Sequence, residues 1–196
     1  MKAVAFNGSP RKGGNTEFLL KQVLRGIEAG GIETELIQIG GRSLHGCRGC
    51  CWCRESGEKR CVIDDDNFNS YLEKMRTADA VLLGSPTYFA DITSEMKALI
   101  DRAGYVMRPD RELRRKVGAA VVAARRGGAI HAYDSMNHLF LVNEMIVVGS
   151  TYWNDGYGGP VGAVEANDEE GTKVARILGE NIAWTLKRLN PPASPA

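Results

Sequence analysis

The sequence lacks an excess of charge of either sign, and it lacks any long apolar run. Its 25 Lys and Arg residues stand against 24 Asp and Glu, so the formal charge is only +1. A nucleic-acid-binding protein needs a basic surplus to neutralise phosphates, so we expect no nucleic-acid partner. No run approaches the roughly 20 apolar residues of a transmembrane helix, and the N-terminus turns polar too soon for a signal peptide. We therefore expect a cytoplasmic protein with no membrane partner.

Internal repeats and interdomain linkers are also missing, and no nucleophile and base pair is recognisable. The 196 residues are 43% hydrophobic and 25% charged, which is enough apolar material for one buried core. We expect a single domain over residues 1–189. An irregular cysteine-rich insertion at 44–62 interrupts it, and a proline-rich tail at 190–196 is predicted to be disordered.

Short β-branched runs alternate with segments of helical periodicity. Five such runs begin at Lys2, Thr34, Ala80, Val117 and Met145. Apolar residues recur at helical spacing between them, for example from Phe18 to Ile27. The alternation predicts an α/β fold, a doubly wound five-stranded parallel sheet with helices on both faces. Ligands of such sheets bind at the carboxyl ends of the strands, where the strand order reverses.

The first predicted strand leads directly into the sequence NGSPRKGGNT, Asn7 to Thr16, and then into a helix. Its glycines allow a tight turn that presents backbone N–H groups, and the start of a helix favours an anion. The pattern predicts a phosphate-binding loop. It is neither Gly-x-Gly-x-x-Gly nor a Walker loop, which disfavours a dinucleotide or a nucleoside triphosphate.

Three motifs, found in this order after successive strands, resemble the flavodoxin-like FMN reductase superfamily. They are the loop from Asn7, GSPTYFADITSEMKALIDR from Gly84, and RRGGA from Arg125. The resemblance implies FMN as the cofactor. It assigns the FMN phosphate to four residues of the first motif, Ser9, Arg11, Asn15 and Thr16. It assigns the ribityl chain and flavin edge to Pro86, Thr87, Tyr88 and Phe89, and we expect Arg125 and Gly127 to bind the cofactor as well.

The segment YWNDGYGGPVGA, Tyr152 to Ala163, also follows a predicted strand. It looks like the loop that closes over the flavin in the quinone-reductase branch of the superfamily. Trp153 and Tyr157 could stack on a ring there, although a plain surface loop is an equal alternative.

All five cysteines lie between Cys47 and Cys61. A reducing compartment and an odd number both disfavour disulfides. The two-residue gaps separating Cys47, Cys50 and Cys53, with Cys61 farther on, favour a four-iron cluster. A zinc site, which usually takes two well-separated pairs, and unmetallated thiols remain alternatives.

The cysteine spacing looks like that of the archaeal-type iron-sulfur flavoprotein family, which unites this fold with FMN and one 4Fe-4S cluster. We assign the cluster ligands as Cys47, Cys50, Cys53 and Cys61. Adjacent side chains diverge, so Cys51 is predicted to be free. If Cys50 is the ligand, two residues separate it from Cys47 and two from Cys53. If Cys51 is the ligand, only one residue separates it from Cys53.

The sequence thus predicts a flavin-dependent oxidoreductase that passes electrons between a four-iron cluster and FMN. Its redox partner would be ferredoxin, NAD(P)H or a quinone. One alternative is an NAD(P)H-dependent FMN or quinone reductase without a cluster, and another is a non-enzymatic flavin or metal-binding sensor module. The resembled families are homo-oligomers, often tetramers. We therefore expect a homo-oligomer here, and a tetramer is one form that the resemblance implies.

Overall fold

The computed structural model describes residues 1–191. The strands are β1 (Lys2–Asn7), β2 (Glu33–Gln38), β3 (Ala80–Pro86), β4 (Val117–Ala124), β5 (Ile146–Val147) and β6 (Asp155–Tyr157). The helices are α1 (Asn15–Ala29), α2 (Trp52–Glu55), α3 (Phe68–Thr77), α4 (Ser94–Met107), α5 (Ala129–Val142), α6 (Ala163–Asn167) and α7 (Glu169–Leu189).

The strands form one parallel sheet in the order β2-β1-β3-β4-β5, with β6 also paired to β4. This confirms the doubly wound fold, and all five predicted strands are present. The additional strand β6 lies on the same side of β4 as β5 does. Strand β4 pairs with Ile146 and Val147 of β5, and nearer its own carboxyl end it pairs with residues 155–157 of β6. Its sequence, Asp-Gly-Tyr, is too short and too polar to read as a buried strand.

Each face of the sheet has its own apolar core. Successive residues of β1 alternate between them, with Val4 and Phe6 facing α3, α4 and α5 and Ala3 and Ala5 facing α1 and α7. Side chains alternate across any strand, so a strand that is apolar throughout needs helices on both sides. The two cores explain why the strands read as continuous apolar runs.

The predicted insertion at 44–62 connects β2 to α3 and contains the single turn α2. Of the predicted tail, Asn190 caps α7 through its side chain, which donates to the Leu186 carbonyl at 3.1 Å. Residues 192–196 lie outside the part of the chain that the structure describes. Within residues 1–191, no helix combines the length and the apolar character needed to cross a membrane.

Candidate functional site

A cleft of about 490 Å³ lies at the carboxyl ends of β1, β3, β4 and β6, beside the point where the strand order reverses. Parallel strands bring their following loops to one edge, which is why segments far apart in sequence meet here. The cleft is lined by Ser9, Arg11, Asn15, Thr16, Pro86, Thr87, Tyr88, Ala123, Ala124, Arg125, Gly158, Gly159, Pro160 and Val161. Eight of the ten residues expected to bind FMN are among them, and Phe89 and Gly127 are not.

A buried amide network fixes the loop after β1. Asn7 donates from Nδ2 to Gln38 Oε1 at 2.7 Å, and its Oδ1 accepts the Ser9 N–H at 3.0 Å. Gln38 in turn donates from Nε2 to the carbonyls of Ser9 and Gly40, at 2.6 and 2.7 Å. Because Asn7 and Ser9 are almost fully buried, these bonds are shielded from water. The loop is therefore held in one shape before any ligand arrives.

The loop leads into α1, and the N-terminus of this helix lies at the cleft. Gly13 takes a left-handed φ of +66°, and its N–H donates to Glu17 Oε2 at 2.6 Å. The first amides of any α-helix have no partner within the helix, so those at the start of α1 are available to an anion. Arg11 and Arg125 line the same cleft and add positive charge. The geometry suits a phosphate group.

The side chain of Asn15 is bonded within the protein. Its Nδ2 donates to the carbonyls of Gly158 and Pro160, at 2.8 and 2.9 Å, and its Oδ1 accepts the Val164 N–H at 3.3 Å. Both amide hydrogens are therefore used within the protein. The side chain holds the 158–164 segment over the start of α1, which leaves only the backbone N–H of Asn15 for a ligand.

Thr87 lines the cleft and contains an unpaired polar atom. Its backbone N–H donates to the Ala123 carbonyl at 2.9 Å, whereas its buried Oγ1 has no hydrogen-bond partner among residues 1–191. Buried hydroxyl groups are rarely left unpaired, so this atom points to a polar ligand in the cleft. Gly128, rather than the predicted Gly127, packs behind it. A Cβ at Gly128 would lie 3.2 Å from Thr87 Cγ2, and its φ is +89°.

Phe89 is fully exposed, at 107% of the reference area. It lies in a tight turn in which Tyr88 and Asp91 exchange two backbone hydrogen bonds, of 2.8 and 3.1 Å. The two central residues, Phe89 and Ala90, take left-handed φ values of +47° and +66°, a conformation usually left to Asn and Gly. The turn directs Phe89 away from the cleft.

The loop over 152–163 contributes backbone rather than aromatic rings to the cleft. Its Gly158–Val161 segment lines the cleft, and Arg11 Nη1 donates to the Gly159 carbonyl at 3.3 Å. Trp153 packs edge-on against Tyr133, with ring centroids 6.0 Å apart. Tyr157 donates its hydroxyl to Asp155 Oδ2 at 3.1 Å. Neither of the rings proposed to stack on a ligand is among the lining residues.

A second pocket, small and largely apolar, is enclosed by the cysteine insertion and α4. We call it the cysteine pocket, and it is lined by Cys47, Arg48, Gly49, Cys50, Cys51, Cys53, Cys61, Val62, Ile63, Arg102, Tyr105 and Val106. All five cysteines are free thiols. The four predicted ligands therefore line one small pocket, and Cys51 lines it as well.

Backbone contacts distinguish two of these thiols. Cys47 Sγ accepts the Gly49 N–H at 3.4 Å, and the Cys51 thiol donates to the Gly49 carbonyl at 3.7 Å. Burial raises the pKa of Cys53, and the neighbouring sulfurs of Cys61 and Cys47 raise it further. Burial thus keeps the Cys53 thiol protonated to a higher pH than an exposed thiol.

An ion pair between Arg102 and Asp66 lies beneath the cysteine pocket, and both side chains are fully buried. Asp66 also accepts the backbone N–H groups of His45, at 2.9 Å, and Phe68, at 3.2 Å. Burial alone would raise the pKa of Asp66, but the bonds from Arg102 and these amides outweigh it and lower the pKa below its usual value. The bond to Phe68 also places Asp66 at the start of α3, as expected for an acidic residue there.

Among the described residues, only His45, Asp65 and Asp66 bring three metal-type ligand atoms within 4.8 Å of one another. This trio is a structural cluster, because both Asp66 oxygens are already used by Arg102 and by backbone amides. The pairing of Arg102 with Asp66 could not be predicted, since an arginine within a helical pattern usually indicates a solvent-exposed face.

The comparisons with known proteins agree with the fold and show the family of the chain. The model of the family described as NADPH-dependent FMN reductase matches residues 1–159. An iron-sulfur flavoprotein of Methanocaldococcus jannaschii is 40% identical over 196 aligned residues, which cover 95% of this chain and 98% of the relative. An iron-sulfur flavoprotein of Methanosarcina thermophila is 37% identical over 161 residues, 81% of each chain.

A solved structure supports the architecture independently. The WrbA-like flavodoxin of Agrobacterium tumefaciens superposes with a TM-score of 0.68 at 15% identity, covering 95% of this chain and 97% of that one. At this identity the likeness establishes the flavodoxin-like fold.

Proposed function

The chain belongs to the NADPH-dependent FMN reductase family, and we propose that it works as an iron-sulfur flavoprotein, passing electrons between a four-iron cluster and FMN. Family membership makes it a flavin-dependent oxidoreductase. When bound, FMN accepts one or two electrons and the cluster one at a time, so together they would link one-electron and two-electron partners. No side chain supplies a nucleophile, and the protein contributes binding, orientation and charge.

The cleft beside β1 and β3 supports FMN as the flavin. We propose that the phosphate binds at Ser9, Arg11, Thr16 and the backbone N–H of Asn15. Pro86, Thr87 and Tyr88 would contact the ribityl chain and flavin edge, with Arg125 opposite. The unpartnered Thr87 Oγ1 carries this assignment, because it is a buried hydroxyl with no other acceptor or donor to satisfy it.

The cysteine pocket supports the cluster. All five cysteines line one small pocket, and Cys47, Cys50, Cys53 and Cys61 are the proposed ligands. A tetrahedral zinc ion, with Zn–S bonds of about 2.3 Å, would bring its sulfurs to about 3.8 Å from one another. Within residues 1–191, no three cysteine sulfurs lie as close as 4.8 Å. The sulfurs are thus not arranged for a single zinc ion, and the two-residue gaps between the cysteines are the pattern that supports a cluster.

The proposed redox partners are ferredoxin, NAD(P)H or a quinone. A cytoplasmic location is part of the same proposal, because exposed free thiols such as Cys47 and Cys50 persist in a reducing compartment. A reductase without a cluster is the competing function. Rapid NAD(P)H oxidation with a quinone, by protein that holds no iron, would favour that competitor.

We also propose a homo-oligomer, in the form of a tetramer. Three large aromatic residues of the loops at this end of the sheet, Phe89, Tyr152 and Trp153, are exposed. Exposed aromatic side chains grouped in this way commonly mark protein interfaces. Sedimentation at micromolar concentration tests the proposal, and a monomer would contradict it.

A further inference from the structure

Arg102 connects the two ends of the cysteine insertion. From its buried position on α4, Nη1 donates to the His45 carbonyl at 3.1 Å, and Nη2 donates to the Ile63 carbonyl at 3.0 Å. His45 precedes the first cysteine and Ile63 follows the last. The same two nitrogens bind the Asp66 carboxylate. A single guanidinium group therefore closes the loop on which every cysteine lies.

One donor of this guanidinium is left over. Its five N–H groups comprise four on the two Nη atoms, which face the carbonyls and the carboxylate, and one on Nε. The Nε atom is buried and has no hydrogen-bond partner among the described residues. The Phe68 ring lies 3.9 Å from the guanidinium carbon and offers no lone pair. Since Arg102 also lines the cysteine pocket, an acceptor inside the pocket would satisfy this donor.

We propose that Arg102 is the positioning residue of the cysteine pocket: it ties the ends of the loop together and keeps its Nε–H for a sulfur acceptor of the cluster. The sulfur contact rests on the proposed function, whereas the tie to the loop does not. A hydrogen bond to sulfur favours the more negative, reduced form of a cluster and so raises its reduction potential. The charge of Arg102 is offset by Asp66, so the hydrogen bond is the effect expected here.

The tie is tested on iron-free protein by amide hydrogen exchange. Arg102→Lys keeps the charge but replaces the rigid fork with one ammonium group, which cannot reach both carbonyls and Asp66. Arg76→Lys is the matched control, because Arg76 binds Glu112 at 2.6 Å and the Lys59 carbonyl of the same loop but does not line the pocket. We expect amides near His45 and Ile63 to exchange about tenfold faster or more in Arg102→Lys. The control should accelerate exchange only around Lys59, and unchanged exchange in Arg102→Lys would overturn the tie.

The sulfur contact is tested by the reduction potential of reconstituted protein. Arg102→Met combined with Asp66→Leu removes the pair without leaving a lone buried charge, so folding is expected to survive. Arg76→Met with Glu112→Leu is the control, and Arg102→Lys supplies a second potential if the double variant does not fold. The cluster potential should become more negative in the Arg102 variants and stay unchanged in the control.

An unchanged potential with an intact cluster would refute the contact. If wild-type protein takes up no cluster, both the sulfur contact and the proposed function are refuted. The exchange experiment still tests whether Arg102 ties the ends of the loop together.

Discussion

Asn69 pairs with both backbone groups of Cys61. The Cys61 N–H donates to Asn69 Oδ1 at 2.9 Å, and Asn69 Nδ2 donates back to the Cys61 carbonyl at 3.0 Å. Asn69 lies in the first turns of α3, so a rigid helix holds the cysteine most distant in sequence from the other four. The last proposed ligand is thereby fixed against the core, although it belongs to a long loop.

Replacing Asn69 should loosen Cys61 selectively. Asn69→Leu leaves the Cys61 N–H and carbonyl without partners, and we expect a loss of about 1–3 kcal/mol in the free energy of unfolding. Asn69→Asp keeps the acceptor for the Cys61 N–H, but it places a second carboxylate beside Asp64, whose Oδ1 accepts from Asn69 Nδ2 at 3.0 Å, so it should lose stability as well. Urea denaturation measures both. Equal stability of wild type and Asn69→Leu would show that the pairing has no energetic weight.

The phosphate loop predicts a charge effect on FMN binding. Ser9→Glu with Thr16→Glu places two carboxylates beside the proposed phosphate, and like-charge repulsion should weaken FMN binding by about a hundredfold or more. Ser70→Glu with Thr77→Glu is the matched control, because it adds the same charges on α3. Titration of apoprotein with FMN by fluorescence gives the affinities. Undiminished affinity in the first variant would refute the phosphate site.

The ligand assignment predicts unequal roles for two adjacent cysteines. Cys51→Ser should retain iron and sulfide, because its thiol already bonds to the Gly49 carbonyl. Serine at Cys47, Cys50, Cys53 or Cys61 should lose the cluster or convert it to a three-iron form. FMN content should be unchanged throughout, since the phosphate loop is a separate element. Equal cluster content in Cys50→Ser and Cys51→Ser would contradict the assignment.

Asp155 predicts a pH dependence of stability. Burial raises the pKa of Asp155 above its usual 3.8; the Tyr157 hydroxyl opposes this and the Asp168 carboxylate adds to it. The folded state therefore holds the proton more tightly than the unfolded chain. Ionisation of Asp155 therefore lowers the free energy of unfolding as the pH rises above 3.8. The loss is complete once the pH exceeds the pKa of Asp155 in the folded state.

Asp155→Asn should therefore gain stability relative to wild type as the pH rises from about 4 to about 7. Asp134→Asn, an exposed change on α5, is the control. Urea denaturation across this range gives the difference, and a difference independent of pH would contradict the expectation.

Much of the fold could be predicted from the sequence because the sheet is buried on both faces. Strands such as β3 and β4 are apolar throughout, and that pattern is local. Strand β6 is held by pairing with β4 and by the loop contacts of Asn15, which are distant in sequence and leave no local signal. The contacts of the Asn15 side chain were not predictable for the same reason.

The candidate site was predictable where chemistry is concentrated in short motifs. The loop from Asn7 and the cysteine spacing are of this kind. Arg102 and Asp66 are 36 positions apart in the sequence, and a single sequence does not show that such residues are in contact. Gly128 was missed in favour of Gly127 because two adjacent glycines look alike until a backbone φ distinguishes them.

The most direct test of the proposed function is an iron and labile-sulfide analysis of protein purified without oxygen. For one four-iron cluster we expect about four iron and about four sulfide per chain. We also expect about one FMN per chain and a brown colour that bleaches on reduction. Protein that binds FMN but contains neither iron nor sulfide would contradict the proposal and favour a reductase without a cluster.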